Sequence, residues 1–371
     1  MKKQYDVCVV TFGDIRFDGR AKNLIEALIH LNKKVIVFSL TSVNIFEGKI
    51  EHISIPTNYN HRVLFRWISF CCAVKKHLKN INYEIYWASD LYSLPSGCRH
   101  LIYDSREIYS KLSVLHSSPI RQKIITIIEK YYIKKINVLI TSGKLDSDYL
   151  KKIYQLKIPC YEIYNYPKFN DYLNSNQIRK QLNIGKDKII LLYQGVLLGG
   201  RGLKPIVDAI KDHNRYVFVI VGEGKYKNIL KQYAEYLNID NRVYFVGNIE
   251  YKELHKWTCG ADIGICNIEP ISFSYKLALP NKLFEYLLAE LPVLVTDLPA
   301  LTKIVNGDNN KLGEIIPSDN NKDSIIAALD SLVINNENYK NNIRIVKENY
   351  TYQTQYDLID RVVSSLLPSN L

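Results

Sequence analysis

The segment ALPNKLFEYLLAELPVLVTD, residues 278–297, contains one helix-to-strand unit of the kind that the whole chain repeats. Pro280 ends a loop, and apolar residues at helical spacing over 281–289 predict a helix. The apolar run 293–295 that follows predicts a short strand. Glu285 stands alone among apolar neighbours, where an unpaired charge would be costly. We therefore expect it either to have a partner or to lie on the wet face of the helix.

Strand and helix patterns alternate on both sides of this segment. A helical pattern at 18–31 lies between apolar runs, and the alternation restarts at residue 188. The predicted strands are YDVCVVTF, KKVIVFSL, YEIYWAS, RHLIYDS, KIILLYQ, RYVFVIV, RVYFVG, a strand within ADIGICNIEP, the run at 293–295 and GEIIP. Such alternation predicts α/β domains with parallel sheets, and a length of 371 residues suggests two of them.

The composition is that of a packed globular protein, with 47% hydrophobic and 23% charged residues. Scattered cysteines without a C-x-x-C pair indicate neither a disulfide framework nor a zinc site, and they fit a reducing cytoplasm. They are Cys8, Cys71, Cys72, Cys98, Cys160, Cys259 and Cys266. The opening MKKQYDVCVVTF is too interrupted for a signal peptide, and no apolar run is long enough to predict a membrane span.

The net positive charge lies in the first half of the chain. Residues 1–170 carry 26 Lys and Arg against 14 Asp and Glu, whereas the remainder carries 23 of each. A basic half indicates nucleic acid, an anionic membrane surface or an anionic substrate as partner. No helix-turn-helix, zinc-finger or RNA-binding aromatic signature accompanies the charge, so nucleic acid is not expected.

Two loops follow predicted strands, at the edge where open α/β sheets bind ligands. The first, TFGDIRFDGRAKN, contains Gly13 and leads to Asp18, which is also a candidate helix N-cap. In the second, GVLLGGRG at 195–202, glycines surround Arg201 just before a helix. Glycines let the backbone approach a phosphate closely, and a helix N-terminus favours an anion. The second loop is therefore predicted to bind phosphate.

The run PNKLFEY followed by LPVLVTD resembles the donor-site segment of the family-4 retaining glycosyltransferases, which have the two-domain glycosyltransferase-B (GT-B) fold. The glycine loop resembles the pyrophosphate loop of that family, and DSREIYS resembles its segment near the reacting sugar. The resemblance implies two Rossmann-like domains facing across a cleft. Residues 1–167 would bind the acceptor, 168–350 would bind the nucleotide sugar, and a helix in 351–371 would return to the first domain.

The resemblance also implies roles for particular residues. Glu285 matches a glutamate that binds ribose hydroxyls, while Arg201 and Lys282 would stabilise the leaving diphosphate without a metal ion. With Arg106, these are the predicted catalytic residues. The predicted donor-binding residues are Gly195, Gly200, Gly202, Val246, Gly247, Asn248, Pro280, Asn281 and Leu283. The predicted acceptor-side residues of the cleft are Gly13, Asp18, Arg20, Asp104 and Glu107.

The chain departs from the family pattern at three positions. Leu277 replaces a glutamate that binds sugar hydroxyls, and Val196 stands where a second phosphate-binding arginine is common. Arg106 replaces a histidine. Since arginine cannot act as a base near neutral pH, Arg106 would bind an anion, orient a hydroxyl or pair with a carboxylate. A D-x-D pair at Asp146 and Asp148 superficially matches a metal site, but a helix dipole explains two acids in a first turn.

The activity implied by the resemblance is that of a hexosyl-type glycosyltransferase that retains anomeric configuration. It would move a sugar from a UDP- or GDP-linked donor to a glycan or lipid-diphosphate-linked acceptor, in the synthesis of capsule, O-antigen or exopolysaccharide. No cofactor is implied beyond the donor substrate. Two alternatives stay open: a nucleotide-sugar 2-epimerase of the same fold, and a non-catalytic protein that binds sugar or nucleotide without turnover.

Two apolar segments with basic residues, 61–80 and 118–136, are predicted helices with two interpretations. They either attach the protein to an anionic leaflet or cover the sheet with their lysines in water. The pattern favours the covering role for the first helix and leaves both open for the second. Attachment would place a cytoplasmic protein at the inner face of the cytoplasmic membrane.

Overall fold

The computed structural model describes residues 2–43, 45–46, 48–57, 62–97, 100–112, 118–307 and 310–367. The chain forms two compact units. The first unit comprises Met1–Asn165 and Tyr352–Leu371, and the second comprises Tyr166–Thr351. Cys98 and the first residue of the predicted helix at 61–80 lie outside the described residues.

Each unit contains one sheet whose strands pair in parallel. The first-unit strands are β1 (Lys3–Val10), β2 (Val35–Ser39), β3 (Glu51–Ser54), β4 (Ile81–Ala88), β5 (Leu101–Ser105), β6 (Val138–Thr141) and β7 (Cys160–Glu162). The second-unit strands are β8 (Ile189–Gln194), β9 (Tyr216–Val221), β10 (Val243–Gly247), β11 (Ile263–Cys266), β12 (Val293–Thr296) and β13 (Gly313–Ile316). The strand orders are β3-β2-β1-β4-β5-β6-β7 and β10-β9-β8-β11-β12-β13. Parallel α/β units confirm the predicted fold class.

Helices connect the strands. They are α1 (Gly19–His30), α2 (Val63–Leu78), α3 (Pro119–Tyr132), α4 (Lys144–Tyr154), α5 (Gln177–Leu182), α6 (Leu203–Ile210), α7 (Lys227–Tyr236), α8 (Tyr251–Thr258), α9 (Phe273–Lys276), α10 (Asn281–Leu288), α11 (Pro299–Asn306), α12 (Lys322–Ile334), α13 (Asn336–Val346) and α14 (Tyr356–Ser364). The C-terminal helix α14 belongs to the first unit and packs against α1. Across the described stretches, each helix is too short or too polar to cross a bilayer.

The predicted helix at 281–289 is α10, and the predicted strand at 293–295 is β12. Three short strands of the first sheet, β3, β6 and β7, were not predicted. Residues 160–162, for which no strand was predicted, form β7 at the edge of the first sheet. A strand of three residues is too short to show a period of two, so pairing with β6 decides its structure. The edge strand β3 was missed for a similar reason, since all four of its residues are half-buried.

Apolar faces of the helices form the core of the second unit. Leu203, Ile206 and Ile210 recur at helical spacing on α6 and are at most 1% exposed. They cluster with Leu191 and Phe218 of the sheet. Full burial of each such side chain contributes about 1.5–3 kcal/mol. The packing fixes the start of α6 close to the end of β8.

The strand order reverses once in each sheet, between β1 and β4 and between β8 and β11. At a reversal the connections leave in opposite directions, so a crevice opens beyond the carboxyl ends of the strands. β8 pairs with β11 only at Ile263↔Leu191 and Gly264↔Leu192. The two strands therefore part before β8 ends at Gln194. The glycine loop begins at this point.

A buried ion pair joins α1 to β5 in the first unit. Arg20 is 4% exposed; its Nη2 donates to Asp104 Oδ1 at 2.6 Å and its Nη1 donates to the Ile163 carbonyl oxygen at 2.6 Å. Asp18 accepts a hydrogen bond from the backbone N–H of Ala21 at 2.9 Å, which confirms the predicted N-cap. Arg20 was predicted to lie on the acceptor side of the cleft, but its guanidinium group is bound to Asp104 and to the Ile163 carbonyl oxygen.

Substitution Asp104→Asn is expected to destabilise the first unit by about 3–5 kcal/mol, because Arg20 would keep its charge in a buried site without a counter-charge. Urea unfolding followed by fluorescence measures the loss. The control is Asp148→Ala, which breaks an exposed pair with Lys144 on α4 and should cost at most about 0.5 kcal/mol. Equal effects of the two substitutions would contradict the structural role of the Arg20–Asp104 pair.

Candidate ligand-binding site

A cavity of about 510 Å³, here called the switch-point pocket, lies at the carboxyl ends of β8, β9 and β10. It is lined by Tyr193, Gln194, Gly195, Val196, Arg201, Val221, Gly222, Glu223, Asn248, Ile249, Tyr251, Leu254, Pro280, Asn281, Lys282 and Glu285. The structure therefore brings together the glycine loop, the turn after β10 and the start of α10. Predicted site residues that meet here are Gly195, Arg201, Asn248, Pro280, Asn281, Lys282 and Glu285.

Lys282 reaches the pocket from the first turn of α10. Its Nζ lies 3.4 Å from the centroid of the Tyr193 ring. A Cβ atom on Gly195, whose φ is 133°, would approach this Nζ within 3.3 Å. Glycine therefore leaves room for the ammonium group at this position. Burial lowers the pKa of Lys282 to about 7, and the nearby charge of Arg201 acts in the same direction.

Glu285 follows Lys282 by three residues, which places both on one side of α10. Its Oε2 accepts a hydrogen bond from Nε2 of Gln194. The Oε1 of Gln194 in turn accepts from Thr258 Oγ1 at 2.9 Å, which orients the amide. Burial raises the pKa of the Glu285 carboxyl. Glu285 therefore has the partner that its apolar surroundings predicted, and that partner is Gln194.

Arg201 lines the pocket from the glycine loop. Its Cζ lies 4.8 Å from the centroid of the Tyr275 ring on α9. Gly200, with φ of 79°, lets the loop pass closely over α9. A Cβ atom there would come within 2.5 Å of Ile271 and 2.8 Å of Tyr275. The glycine therefore serves the packing of the loop rather than direct contact with a ligand.

Some predicted donor-binding residues do not line the pocket. They are Gly200, Gly202, Val246, Gly247 and Leu283. Gly202 has φ of 62° at the start of α6, where a Cβ atom would come within 2.5 Å of Asn267. The carbonyl oxygen of Gly247 accepts from the Gly222 N–H at 2.7 Å. The side chain of Leu283, on the inner face of α10, is fully buried. These residues shape the backbone around the pocket.

The predicted acceptor-side residues and Arg106 lie in the first unit. Arg106 Nη1 donates to Asp18 Oδ2 at 2.5 Å, which is the carboxylate pairing considered from the sequence. Its Nε and Nη2 are buried and have no hydrogen-bond partner among the described residues. The Gly13 carbonyl oxygen accepts from the Leu40 N–H at 3.0 Å, and Glu107 is exposed. The predicted role of these residues in binding an acceptor stays a prediction.

Sequence reasoning missed several lining residues. They include Tyr193, Gln194, Glu223, Ile249, Tyr251 and Leu254. Gln194 and Tyr193 end β8 directly before the glycine loop, so their place in the sequence was the signal that could have found them. An adjoining cavity of about 150 Å³ shares Gln194, Tyr251, Leu254 and Glu285 with the pocket. Glu285 therefore borders both spaces.

The D-x-D pair makes local contacts in the first unit. Asp146 accepts from Ser142 Oγ at 3.1 Å, and burial raises its pKa to about 6. Asp148 pairs with Lys144 at 2.9 Å, one turn away on α4. In the part of the chain that the structure describes, His, Cys, Asp and Glu side chains form no group of three or more that could hold a metal ion.

Comparison with known proteins gives a family match in the second unit. The family described as "Glycosyl transferases group 1" matches residues 174–349. An uncharacterized glycosyltransferase of Methanocaldococcus jannaschii is 25% identical over 185 residues, covering 47% of this chain and 43% of that protein. The match thus spans less than half the length of this curated relative.

Solved structures resemble the chain over almost its whole length. Sucrose-phosphate synthase from Thermosynechococcus elongatus has a TM-score of 0.80 at 14% identity, covering 98% of this chain and 99% of that one. HepE of Anabaena, solved with UDP-glucose, has a TM-score of 0.76 at 15% identity, covering 98% of this chain and 100% of that one. These likenesses confirm the GT-B type of fold.

Lys282 is expected to titrate near pH 7, more than three units below an ordinary lysine at about 10.4. The cause is the removal of its ammonium group from water. The measurement is the ¹³C shift of the lysine ε-carbons between pH 5.5 and 10, and Lys282→Met assigns the resonance by deleting it. A spectrum in which every lysine titrates above pH 9.5 would contradict the burial of this charge.

Proposed function

We propose that this protein is a glycosyltransferase that moves a hexose from a UDP- or GDP-linked sugar to a glycan or lipid-diphosphate-linked acceptor. The observation that carries the proposal is the placement of Arg201, Lys282 and Glu285 around one pocket at the strand reversal of the second unit. The two cations suit a diphosphate, and the carboxylate suits ribose hydroxyls. The group 1 match over this unit and the UDP-glucose bound by Anabaena HepE support the same assignment.

In this proposal the bond between the sugar and the diphosphate breaks, and negative charge develops on the leaving phosphate. Arg201 and protonated Lys282 would donate hydrogen bonds to it, each contributing about 1.5–3 kcal/mol. The start of α10 at Asn281 adds the positive end of a helix dipole. These groups stabilise the additional negative charge that develops on the leaving phosphate in the transition state.

Several finer assignments belong to this proposal and rest on the sequence resemblance. They are membership of family 4, retention of anomeric configuration, transfer of a hexose and a role in capsule, O-antigen or exopolysaccharide synthesis. The proposed chemistry uses no cofactor beyond the donor and places the charge-stabilising groups on the protein itself.

A non-catalytic nucleotide- or sugar-binding protein is the second candidate. Leu277 directly follows α9 and does not line the pocket, so no carboxylate from that position can hold the sugar hydroxyls. Arg106 is paired with Asp18. Because an arginine stays protonated, it cannot replace a histidine base. Such a protein would bind a nucleotide sugar without forming a product. Release of free or transferred sugar from the bound donor distinguishes the two functions.

We expect one nucleoside diphosphate among UDP, GDP and ADP to raise the melting temperature, since binding at about a hundredfold excess over Kd stabilises by about 2.7 kcal/mol. The corresponding monophosphate should give a smaller shift, because it occupies one phosphate position beside the cations. Glu285→Gln should weaken binding at least about tenfold by removing a charged acceptor for hydroxyls.

The matched control for that experiment is Glu337→Gln, which changes an exposed carboxylate on α13 away from the pocket. Its nucleotide shift should equal that of the wild type. A panel without any shift would count against the proposed function. A shift that Glu285→Gln leaves intact would remove the ribose role from this residue.

We also propose that the first unit docks on an anionic membrane surface through α2, α3 and α4. Large apolar residues on these helices are exposed, although α2 also buries Phe70, Cys71 and Val74 and so has the covering role favoured for it. The exposed residues are Val63, Leu64, Phe65, Ile68, Ile120, Ile124, Ile127, Tyr131 and Ile153. Lys123 and Lys130 are exposed on α3 among them. Basic residues beside apolar ones suit anionic headgroups above an acyl layer.

Flotation with liposomes that contain phosphatidylglycerol is expected to carry the protein upward, whereas neutral phosphatidylcholine liposomes should not. Lys123→Glu with Lys130→Glu should reduce binding at least about thirtyfold, at about 1 kcal/mol per basic residue. The control pair, Lys186→Glu with Lys231→Glu, applies the same charge change to exposed sites of the second unit. Equal loss in both pairs would indicate an effect of net charge alone and would contradict a specific surface.

A further inference from the structure

Each of the two cations in the switch-point pocket lies against a tyrosine ring. Lys282 Nζ is 3.4 Å from the centroid of Tyr193, and Arg201 Cζ is 4.8 Å from the centroid of Tyr275. Across the described residues, neither cation forms an ion pair with a carboxylate. The positive charges are therefore held in place without being neutralised.

Both rings are themselves fixed by the fold. Tyr193 is 1% exposed on β8, and its hydroxyl donates to the Val196 carbonyl oxygen at 3.0 Å. Tyr275 lies on α9, where its backbone N–H donates to Ser272 Oγ at 3.3 Å. The absence of a side chain on Gly200 lets the Tyr275 ring pack directly under the glycine loop. Burial and its hydroxyl hydrogen bond hold the Tyr193 ring, and packing beside Gly200 places the Tyr275 ring.

We propose that Tyr193 and Tyr275 are positioning residues that hold Lys282 and Arg201 with their N–H donors free for the two phosphates of a nucleoside diphosphate. The inference rests on the proposed function and assigns to it two residues outside the sequence motifs. A ring attracts a cation through its π face. A carboxylate partner would instead occupy the N–H groups, and a phosphate would have to displace it.

Lys282 also makes this arrangement sensitive to pH. The groups that act on it from the surrounding elements are Tyr193 on β8, Arg201 on the glycine loop, Cys266 on β11 and Glu285 on α10. The ring of Tyr193 favours the protonated form, so its loss should make protonation harder. Phosphate binding in a variant without this ring should therefore fail at a lower pH than in the wild type.

The test is calorimetric titration of inorganic pyrophosphate, which needs no knowledge of the base, alongside UDP, GDP and ADP. Tyr193→Leu and Tyr275→Leu should each weaken binding about five- to thirtyfold. Tyr193→Phe and Tyr275→Phe keep the ring and should stay within about twofold of wild type. Rescue by phenylalanine separates the effect of the ring from that of the hydroxyl.

The pH profile gives a readout that a merely structural role would not move. At each pH the affinity of a variant for pyrophosphate is compared with that of the wild type. The loss of affinity in Tyr193→Leu should grow from pH 6 to pH 8, while the loss in Tyr275→Leu should stay constant. Normal binding by both leucine variants would overturn the inference and leave the proposed function standing. No binding of pyrophosphate or any nucleotide by the wild type would overturn both.

Discussion

The hydroxyl of Tyr286 joins the two strands that part at the reversal of the second sheet. It accepts a hydrogen bond from the backbone N–H of Gln194 at 3.1 Å, and its own hydrogen lies within reach of the carbonyl oxygens of Leu192 and Ile265, at 3.1 and 3.3 Å. Where β8 and β11 separate, these backbone groups lose their ladder partners, and a buried unpaired group costs about 1–3 kcal/mol. One side chain of α10 satisfies them, so the helix is fixed directly to the opening between the strands.

That anchor determines what the rest of α10 can do. With Tyr286 held in the sheet, Lys282 and Glu285 emerge on the open side of the helix, toward the space left by the parted strands. The pocket then combines two cations with a carboxylate that is hydrogen-bonded to Gln194 rather than paired with Lys282. Direct pairing would have cancelled the charges that a phosphate and a hydroxyl group need. Because the Gln194 amide, and not Lys282, orients the Glu285 carboxylate, both charged groups stay available.

Helices and strands could be predicted from the sequence where their apolar residues recur at the spacing of a helix or a strand. The helix at 281–288 was predicted to within one residue, because its apolar spacing is local. Tyr193 could not be assigned to Lys282, since strand and helix are far apart in sequence and meet only through the sheet. Leu283 was assigned to the ligand but is core, because a motif does not say which side of a helix is buried. Arg20 was likewise assigned to a cleft but is bound to a carboxylate on a neighbouring strand.

Val196 stands where the family that the sequence resembles commonly has an arginine, and this affects how the site is charged. The second cation comes from α10 instead of the loop, and Lys282 fills the space beside Gly195, the residue directly before Val196. An arginine in the loop would stay charged at every physiological pH. A lysine whose pKa is lowered to about 7 by burial does not, since about half of it is neutral at that pH. If the site binds a diphosphate as proposed, binding would draw a proton onto Lys282, and affinity should fall as pH rises above 7. A site with Lys282 as its second cation would thus have a charge that its ligand completes, whereas a site with two arginines would have a constant charge.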